Sequence, residues 1–360
     1  MIFDIVVIGA GPAGCAAAIG AGNRGLRVGL IEKAAFPRDV PGEALHPDVN
    51  DLLATLGVAD QVANAGFIRC PGWIHVRSGE RAFIPFADSS GLRFGYQAWR
   101  SEFDVILLEQ ARSLGVTIVQ PATSGELLLE KDRVIGLQVN GEPWLCSYLV
   151  DASGSSGWLG RRLRLPVQEV SPRLIARYAY FRDHTVLGSL PEFREHACGW
   201  TWLARVKGDW CQCVQVSLSS PGVDQPLPDD LPPDVRCRGA NATWRFTPQC
   251  AGPGYFICGE SAAALDPAAS SGVARAMASG MKAADLAAAV ASNRMHSQTA
   301  AASYCRWYAD LFLEHARKLA SQYAQLENAP EWLWGLETRF GEIEQRLPNS
   351  LANAANAVIT

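Results

Sequence analysis

The chain has 360 residues, of which 48% are hydrophobic and 19% charged, a composition typical of a soluble globular protein with a sizeable core. Its net charge of −4 offers no basic field, so we expect no nucleic-acid partner. No apolar run has the length of a membrane span, and the N-terminal run carries Asp4 without the basic residues of a signal peptide. We therefore expect a cytoplasmic protein with no membrane partner.

Residues 1 to about 35 predict a strand, a glycine turn, a helix and a second strand. The turn reads Gly9-Ala10-Gly11-Pro12-Ala13-Gly14, and Glu32 ends the second apolar run. Glycines at this spacing let the backbone approach a pyrophosphate, which the N-terminus of the next helix attracts. A carboxylate about 20 residues later suits ribose hydroxyls and disfavours a 2′-phosphate. The segment therefore predicts a dinucleotide site.

The middle of the chain has shorter elements. The pattern predicts, in chain order, a helix over 51–58, paired strands over 73–86 with a turn at Ser78-Gly79, a helix over 101–114, a strand over 116–119, a hairpin over 127–139 and a buried strand over 148–150. Residues 171 to about 250 alternate aromatic and other side chains, as an antiparallel sheet with one buried face does. A proline-rich loop covers 221–233, and residues 277 to about 346 are predominantly helical.

Ten cysteines are scattered through apolar surroundings without zinc-ligand spacing, so we expect reduced thiols and no metal. Cys211 and Cys213 alone are close together, and on a strand both would point to one face. Core packing is the simpler interpretation of that pair, with a redox role as the alternative.

Three further blocks extend the glycine motif. Arg100, Phe103, Asp104, Leu107 and Ala111 form an R-x-x-F-D-x-x-L-x-x-x-A pattern, and residues 148–165 and 254–286 read YLVDASGSSGWLGRRLRL and GYFICGESAAALDPAASSGVARAMASGMKAADL. In this order the four blocks resemble the para-hydroxybenzoate-hydroxylase-fold flavoproteins, in the branch of the flavin-dependent halogenases and geranylgeranyl reductases. The resemblance covers almost the whole chain and implies FAD as cofactor.

The same resemblance implies an α/β fold: a Rossmann-like FAD-binding domain with an inserted antiparallel-sheet substrate domain and a helical C-terminus. The expected FAD-binding domain comprises 1–170 and 250–285, with interleaved substrate-domain strands near 70–97. The substrate domain is expected over 171–249 and the C-terminal helical region over 286–360.

The resemblance also implies a set of FAD-binding residues. They are Gly9, Ala10, Gly11, Pro12, Ala13, Gly14, Glu32, Lys33, Arg38, Glu43, Ala44, Arg100, Ser124, Ala152, Ser153, Gly154, Gly259, Glu260, Pro267, Gly272 and Val273. Glu260 stands where Asp is usual on a ribityl hydroxyl, and its apolar neighbours make an exposed position improbable. The helix starting near Gly272-Val273 would aim backbone N–H groups at the flavin N1–C2=O region.

Residues 36–47 read FPRDVPGEALHP and are similar to the segment that runs beside the isoalloxazine in this family. Glu43 and His46 are therefore our candidate catalytic residues. Glu43 could equally be a hydrogen-bond anchor or a helix cap. His46 could titrate near neutrality, although a lone histidine is more often structural.

The halogenase branch is marked by a lysine that handles hypohalous acid and by a W-x-W-x-I-P segment. This chain has no lysine between Lys33 and Lys131, and it keeps Trp200 and Trp202 but has Ala204-Arg205 instead of Ile-Pro. The two tryptophans could simply pack on one face of a strand. Residues 41–47, 199–202, 242–246 and 254–256 resemble LodB/GoxB-type flavoproteins, which are needed to make tryptophylquinone cofactors in neighbouring oxidases.

That likeness implies an FAD-dependent monooxygenase that oxygenates a Trp side chain of a partner oxidase precursor during cysteine tryptophylquinone biogenesis. Oxygen would come from O2. Electrons would come from an external reductant, either NAD(P)H or a reductase, since no second glycine motif is present. One alternative is a small-molecule aromatic monooxygenase or a flavin-dependent halogenase of secondary metabolism. Another, of a different class, is a non-catalytic maturation chaperone that binds FAD weakly.

Overall fold

A computed structural model describes residues 1–38, 40–89, 91–182, 188–218, 231–232 and 235–348. Elements up to residue 97 are β1 (Ile2–Ile8), α1 (Pro12–Gly22), β2 (Val28–Ile31), β3 (Ala44–Leu45), α2 (Val49–Thr55), α3 (Ala59–Asn64), β4 (Ile68–Cys70), β5 (Gly72–Arg77), β6 (Glu80–Pro85), β7 (Ala87–Asp88), β8 (Gly91–Leu92) and β9 (Gly95–Gln97). The βαβ unit is confirmed. The helix predicted over 51–58 corresponds to α2, and the turn between β5 and β6 lies at Ser78-Gly79, where φ is 48° and 85°.

The next elements are α4 (Arg100–Ser113), β10 (Thr117–Val119), β11 (Ser124–Glu130), β12 (Arg133–Val139), β13 (Glu142–Asp151), α5 (Trp158–Arg162), β14 (Gln168–Glu169), β15 (Ile175–Arg182), β16 (Glu192–His196), β17 (Gly199–Lys207), β18 (Trp210–Ser217) and β19 (Arg238–Asn241). The predicted helix over 101–114 and the hairpin over 127–139 are confirmed. The strand predicted over 148–150 is longer, because its first half pairs with β12 and its second half with the later strand β22.

The last part contains β20 (Arg245–Phe246), β21 (Ala251–Gly252), β22 (Tyr255–Ile257), β23 (Ala263–Ala264), α6 (Gly272–Ala291), α7 (Ser297–Tyr323) and α8 (Leu336–Gln345). Short 3-10 turns cover Gly154–Ser156, Gly259–Ser261, Pro267–Ala269 and Glu331–Gly335. The helical C-terminal part is confirmed. Most of the predicted proline-rich loop lies outside the described residues.

The first large sheet is Rossmann-like. Its order is β10-β2-β1-β13-β12-β11, and β22 pairs with β13 and with β21. Strands β10, β2, β1, β13 and β22 run parallel, which brings their carboxyl ends to one edge. Ligands of open α/β sheets bind beyond this edge, and here Gly9, Glu32 and Asp151 lie there.

The second large sheet has the order β19-β15-β18-β17-β16-β5-β6. Its pairs are antiparallel except β16 with β5, so the inserted antiparallel sheet is confirmed, and β5 joins it through one parallel pair. The parallel pair arises because β5 comes from a distant part of the chain and is not joined to β16 by a tight turn. One face carries Phe181, Leu203, Cys211 and Cys213 in a small second core, which agrees with the packing interpretation of the two cysteines.

Candidate flavin site

The glycine turn connects β1 to α1 with very little free space. Gly9 has a φ of 97°, and a Cβ there would lie 2.4 Å from the carbonyl oxygen of Ala152. A Cβ on Gly14 would lie 1.8 Å from the carbonyl oxygen of Gly9. Pro12 opens α1, and the first turn of that helix has no acidic side chain. The turn therefore needs glycine sterically, and the helix N-terminus keeps N–H groups and positive dipole for an anion.

Glu32 is held against this turn. One carboxylate oxygen accepts a hydrogen bond from Ala10 N at 2.8 Å, and the other accepts one from Ala34 N at 3.0 Å. A carboxylate has about four acceptor positions, so it can still accept bonds from ribose hydroxyls. Lys33, the next residue, is exposed.

Two segments that are far apart in sequence meet at the turn. A Cβ on Gly259 would lie 2.9 Å from Cβ of Ala13, so the late segment packs directly on the start of α1. Asp151 is fully buried and accepts hydrogen bonds from Ser153 N at 2.9 Å and Leu159 N at 2.8 Å. This carboxylate fixes the Ala152-Ser153-Gly154 segment beside Gly9. The structure thus brings together the predicted blocks at the edge of the parallel sheet.

Glu260 does not follow the expectation of burial. Its side chain is 46% exposed and lies 3.1 Å from the guanidinium of Arg245. The apolar neighbours in the sequence are buried because they face α6 and the sheet, whereas the 3-10 turn directs Glu260 outward. A carboxylate at this rim is free to rotate toward a ribityl chain, and Arg245 competes for it.

The start of α6 contains two buried polar atoms that lack a hydrogen bond to any described residue. The hydroxyl of Ser271 and one guanidinium nitrogen of Arg275 are buried without a hydrogen-bond partner among the described residues. Gly272 and Val273 begin the helix between them, and Pro267 precedes it with an exposed ring. Buried donors are normally satisfied, so their lack of a partner fits a ligand with carbonyl oxygens, such as a flavin ring.

A buried ionic cluster borders the glycine turn. Arg100 binds Asp104 through two hydrogen bonds of 2.9 and 3.0 Å, and Arg38 lies 3.4 Å from the same carboxylate. Nε of Arg38 is buried and has no hydrogen-bond partner in the described part of the chain, and a Cβ on Gly11 would lie 3.4 Å from the Arg38 guanidinium. A partly satisfied guanidinium beside a helix N-terminus suits a pyrophosphate. Together with the donors at α6, it fits FAD to the residues present.

Glu43 connects the loop before β3 to the second large sheet. It is 2% exposed and accepts hydrogen bonds from Gly42 N at 2.8 Å, from the Tyr180 hydroxyl on β15 and from the Gln212 amide on β18. Burial raises the pKa of Glu43, and the hydrogen bond from Tyr180 acts in the opposite direction. The carboxyl group is an anchor between the loop and the second sheet, and it can hold a proton at a higher pH than an exposed glutamate.

His46 has different neighbours, although it is only three residues away. Its Nδ1 lies 3.0 Å from the Asp48 carboxylate, and its ring meets Phe86 edge-on at 5.0 Å. Burial lowers the pKa of His46, Asp48 raises it, and the Lys318 ammonium on α7 lowers it. Glu43 and His46 therefore share no contact in this structure, and their catalytic roles stay predictions.

The remaining predicted residues frame the site. Ala44 pairs with Gln97 in a small sheet, and Ser124 opposes Val139 at the start of the β11–β12 hairpin. The segment before Ser124 reaches the cofactor edge through a hydrogen bond from Ala122 N to the carbonyl of Glu32, at 2.8 Å.

The sequence analysis missed several polar residues that complete the site. They are Tyr180, Gln212, Trp244, Asp266, Arg275, His315 and Tyr323. Asp266 was visible in the Asp-Pro dipeptide, but its partners lie on other elements. No spacing rule connects residues whose contact depends on how two sheets and a helix pack.

Among the described residues, no group of three or more His, Cys, Asp or Glu side chains has an arrangement that could hold a metal ion. No helix in the same ranges combines the length and apolar character that crossing a bilayer requires.

Comparisons with known proteins agree with this geometry. Residues 4–37 match a family model described as FAD dependent oxidoreductase. The tryptophan 2-halogenase of Chondromyces crocatus is 28% identical over 374 residues, covering 92% of this chain and 69% of the relative.

Two solved structures share the fold. That of CmlS, a flavin-dependent halogenase, superposes with a TM-score of 0.79 at 23% identity, over 98% of this chain and 69% of CmlS. That of QhpG, a peptidyl tryptophan dihydroxylase essential for tryptophylquinone cofactor biogenesis, gives 0.73 at 20% identity, over 94% and 79%. The family match over residues 4–37 and the likeness to the halogenase, with the glycine turn, Glu32 and the unsatisfied donors at α6, support an FAD-dependent oxidoreductase.

Proposed function

We propose that this flavoenzyme oxidatively modifies an electron-rich aromatic ring, with halogenation as the first candidate reaction. The observation that carries the proposal is the pair of bonds from Tyr180 and Gln212 to Glu43. These bonds hold one face of the second sheet against the loop that is expected beside the isoalloxazine.

That face is aromatic. It presents Tyr178 and Tyr180 from β15, with ring centres 6.2 Å apart, and Trp202 from β17. The Trp202 indole N–H is buried without a partner among the described residues. Trp99, before α4, lies 5.4 Å from Tyr180. Aromatic side chains that line a surface favour flat aromatic ligands. The Trp202 indole N–H can only donate, so it could donate a hydrogen bond to such a ligand.

When bound and reduced by an external donor, FAD would pass electrons to O2 and so supply the activated oxygen. The residues of the chain would do the rest. The aromatic face excludes water and orients the ring, Glu43 fixes that face over the cofactor edge, and Arg38 with the α1 N-terminus binds phosphate. Glu43 and His46 are the candidates for proton transfer.

Halogenation is favoured by the relatives, several of which are named as halogenases. The chain lacks a lysine between 33 and 131, so halogenation here would have to proceed without the lysine that marks the halogenase branch.

Hydroxylation of a tryptophan in a partner protein is the second candidate. The absence of lysine from residues 34–130 and the shared fold with QhpG favour it. The partner would be an oxidase precursor, as the resemblance to LodB/GoxB-type flavoproteins implies. NAD(P)H or a separate reductase would supply electrons.

Co-expression tests the two candidates. The protein is produced in bromide-containing medium together with the precursor of a cysteine tryptophylquinone oxidase, and intact masses and peptide maps of the oxidase are compared with those from cells lacking the flavoprotein. Oxygen on one tryptophan supports the second candidate. For the first, the purified FAD-loaded enzyme should brominate free tryptophan or pyrrole-2-carboxylate. Absence of both products, with FAD bound and reoxidised by O2, would overturn the proposal.

A further inference from the structure

A buried chain of hydrogen bonds links the second sheet to the loop before α6. The Trp200 indole N–H donates to the Tyr323 hydroxyl at 2.8 Å, and that hydroxyl donates to Asp266 at 2.7 Å. The Trp244 indole N–H donates to the other Asp266 oxygen, also at 2.7 Å. All four side chains are at most 2% exposed. The hydrogen-bond chain is therefore isolated from water along its length.

Chemistry fixes the direction of every bond. An indole N–H can only donate, an ionised carboxylate can only accept, and a hydroxyl can do one of each. Tyr323 is thus the hydrogen-bonding link between Trp200 and Asp266. Substituting it by Phe leaves the Trp200 indole donor without this partner and removes one of three donors to Asp266, while keeping nearly the same volume.

The three linked residues lie on elements that perform different tasks. Trp200 is on β17, in the face that carries Trp202 and Tyr180. Tyr323 is the last residue of α7. Asp266 caps the 3-10 turn Pro267–Ala269 by accepting a bond from Ala268 N at 3.0 Å, and α6 begins three residues after that turn. The hydrogen-bond chain joins the substrate-facing sheet, α7 and the loop that leads to α6.

We propose that Tyr323 is a positioning residue that couples the flavin-facing loop to the substrate-facing sheet through Asp266 and Trp200. Cofactor binding at the start of α6 then changes the environment of Trp200, and FAD and a ligand on the sheet change each other's affinity by the same factor. This inference goes beyond the proposed function and holds for either candidate reaction.

The ionisation of Asp266 sets the conditions under which the link operates. Burial raises its pKa to about 6, while the bonds from Tyr323, Trp244 and Ala268 and the charge of Arg275 on α6 oppose this. Above that pH the carboxylate accepts all its bonds. Below it, the added proton competes with one donor, so the coupling should weaken.

The test uses the indole N–H resonances of 15N-tryptophan-labelled apoprotein, assigned with Trp200→Phe and Trp244→Phe. Titration with FAD at pH 7.5 should move the resonance of Trp200 in the wild type. In Tyr323→Phe that response should be lost. Tyr304→Phe is the matched control, because Tyr304 is also fully buried on α7 but donates to the carbonyl of Ile257 at 3.0 Å. Its response should equal that of the wild type.

The proposal also predicts a pH response that needs no variant of Tyr323. In the wild type, the FAD-induced movement of the Trp200 resonance should disappear as the pH falls through about 6. His315→Gln should leave this midpoint in place, which separates Asp266 from the histidine that faces Arg275. If FAD does not move the Trp200 resonance, or moves it equally in Tyr323→Phe, the coupling is refuted. Binding of FAD in the same titration keeps that result separate from failure of the proposed function.

Discussion

The contact between α1 and α6 gives a sharp prediction at Gly280. This residue is in the interior of α6, and a Cβ there would lie 2.0 Å from the carbonyl oxygen of Ala13 and 2.9 Å from the amide of Ala17. Both atoms belong to the backbone of α1, so neither can rotate away. Relief requires the two helices to separate at the turn that binds phosphate.

The magnitude follows from two opposing effects. Ala in place of Gly in a helix interior is worth about 1 kcal/mol of stability. Overpacking costs typically about 1–3 kcal/mol, and a clash with backbone atoms belongs at the upper end or beyond. Gly280→Ala should therefore lower the free energy of unfolding by about 2 kcal/mol or more and weaken FAD binding about tenfold, because Ala13 moves with the phosphate-binding turn.

Gly341→Ala is the matched control for that prediction. It is also in a helix interior, in α8, and a Cβ there meets nothing within 4 Å. We expect it to be neutral or to stabilise the protein by up to about 1 kcal/mol, with unchanged FAD affinity. Urea unfolding of the apoproteins and titration with FAD give both quantities. Equal behaviour of the two variants would refute the close contact between α1 and α6.

Three other substitutions test the site and its surroundings. Asp104→Asn should cost about 3–5 kcal/mol in urea unfolding, because the buried Arg100 guanidinium loses its charged partner, and a loss below about 1 kcal/mol would contradict this. Tyr180→Phe raises the pKa of Glu43 further, since the lost hydrogen bond favours the carboxylate. Its destabilisation, about 1–3 kcal/mol at neutral pH, should shrink as Glu43 is protonated on acidification, whereas a constant loss from pH 5 to 8 would disagree. Trp334→Ala should change stability by less than about 0.5 kcal/mol, because the side chain is 85% exposed, and thermal melting measures this.

Local patterns predicted those parts of the fold that local forces decide. The glycine turn can be predicted from the sequence because neighbouring backbone atoms leave no room for a side chain at Gly9 or Gly14. The hairpin over 124–139 follows from adjacent strands, and α4 from the spacing of its apolar residues. The family resemblance then supplied the order of the domains and the cofactor.

Contacts between distant elements could not be predicted from spacing. Glu43 meets side chains of β15 and β18 only because those strands pair in a register that sets Tyr180 opposite Gln212. The Asp266–Tyr323 bond spans 57 residues and depends on where α7 ends. Glu260 was misjudged because apolar neighbours in sequence say nothing about the direction that a 3-10 turn gives one side chain.

Following the oxygen atoms of O2 tests whether the FAD-loaded enzyme oxidatively modifies an aromatic ring. The FAD-loaded enzyme is supplied with a flavin reductase, NADH, bromide and 18O2, with free tryptophan and a tryptophan-containing peptide as probes, and the product masses are recorded. We expect the aromatic ring to gain either bromine, recognised by its isotope doublet, or one or more 18O atoms. Unmodified rings, with 18O2 reduced only to peroxide, would contradict this.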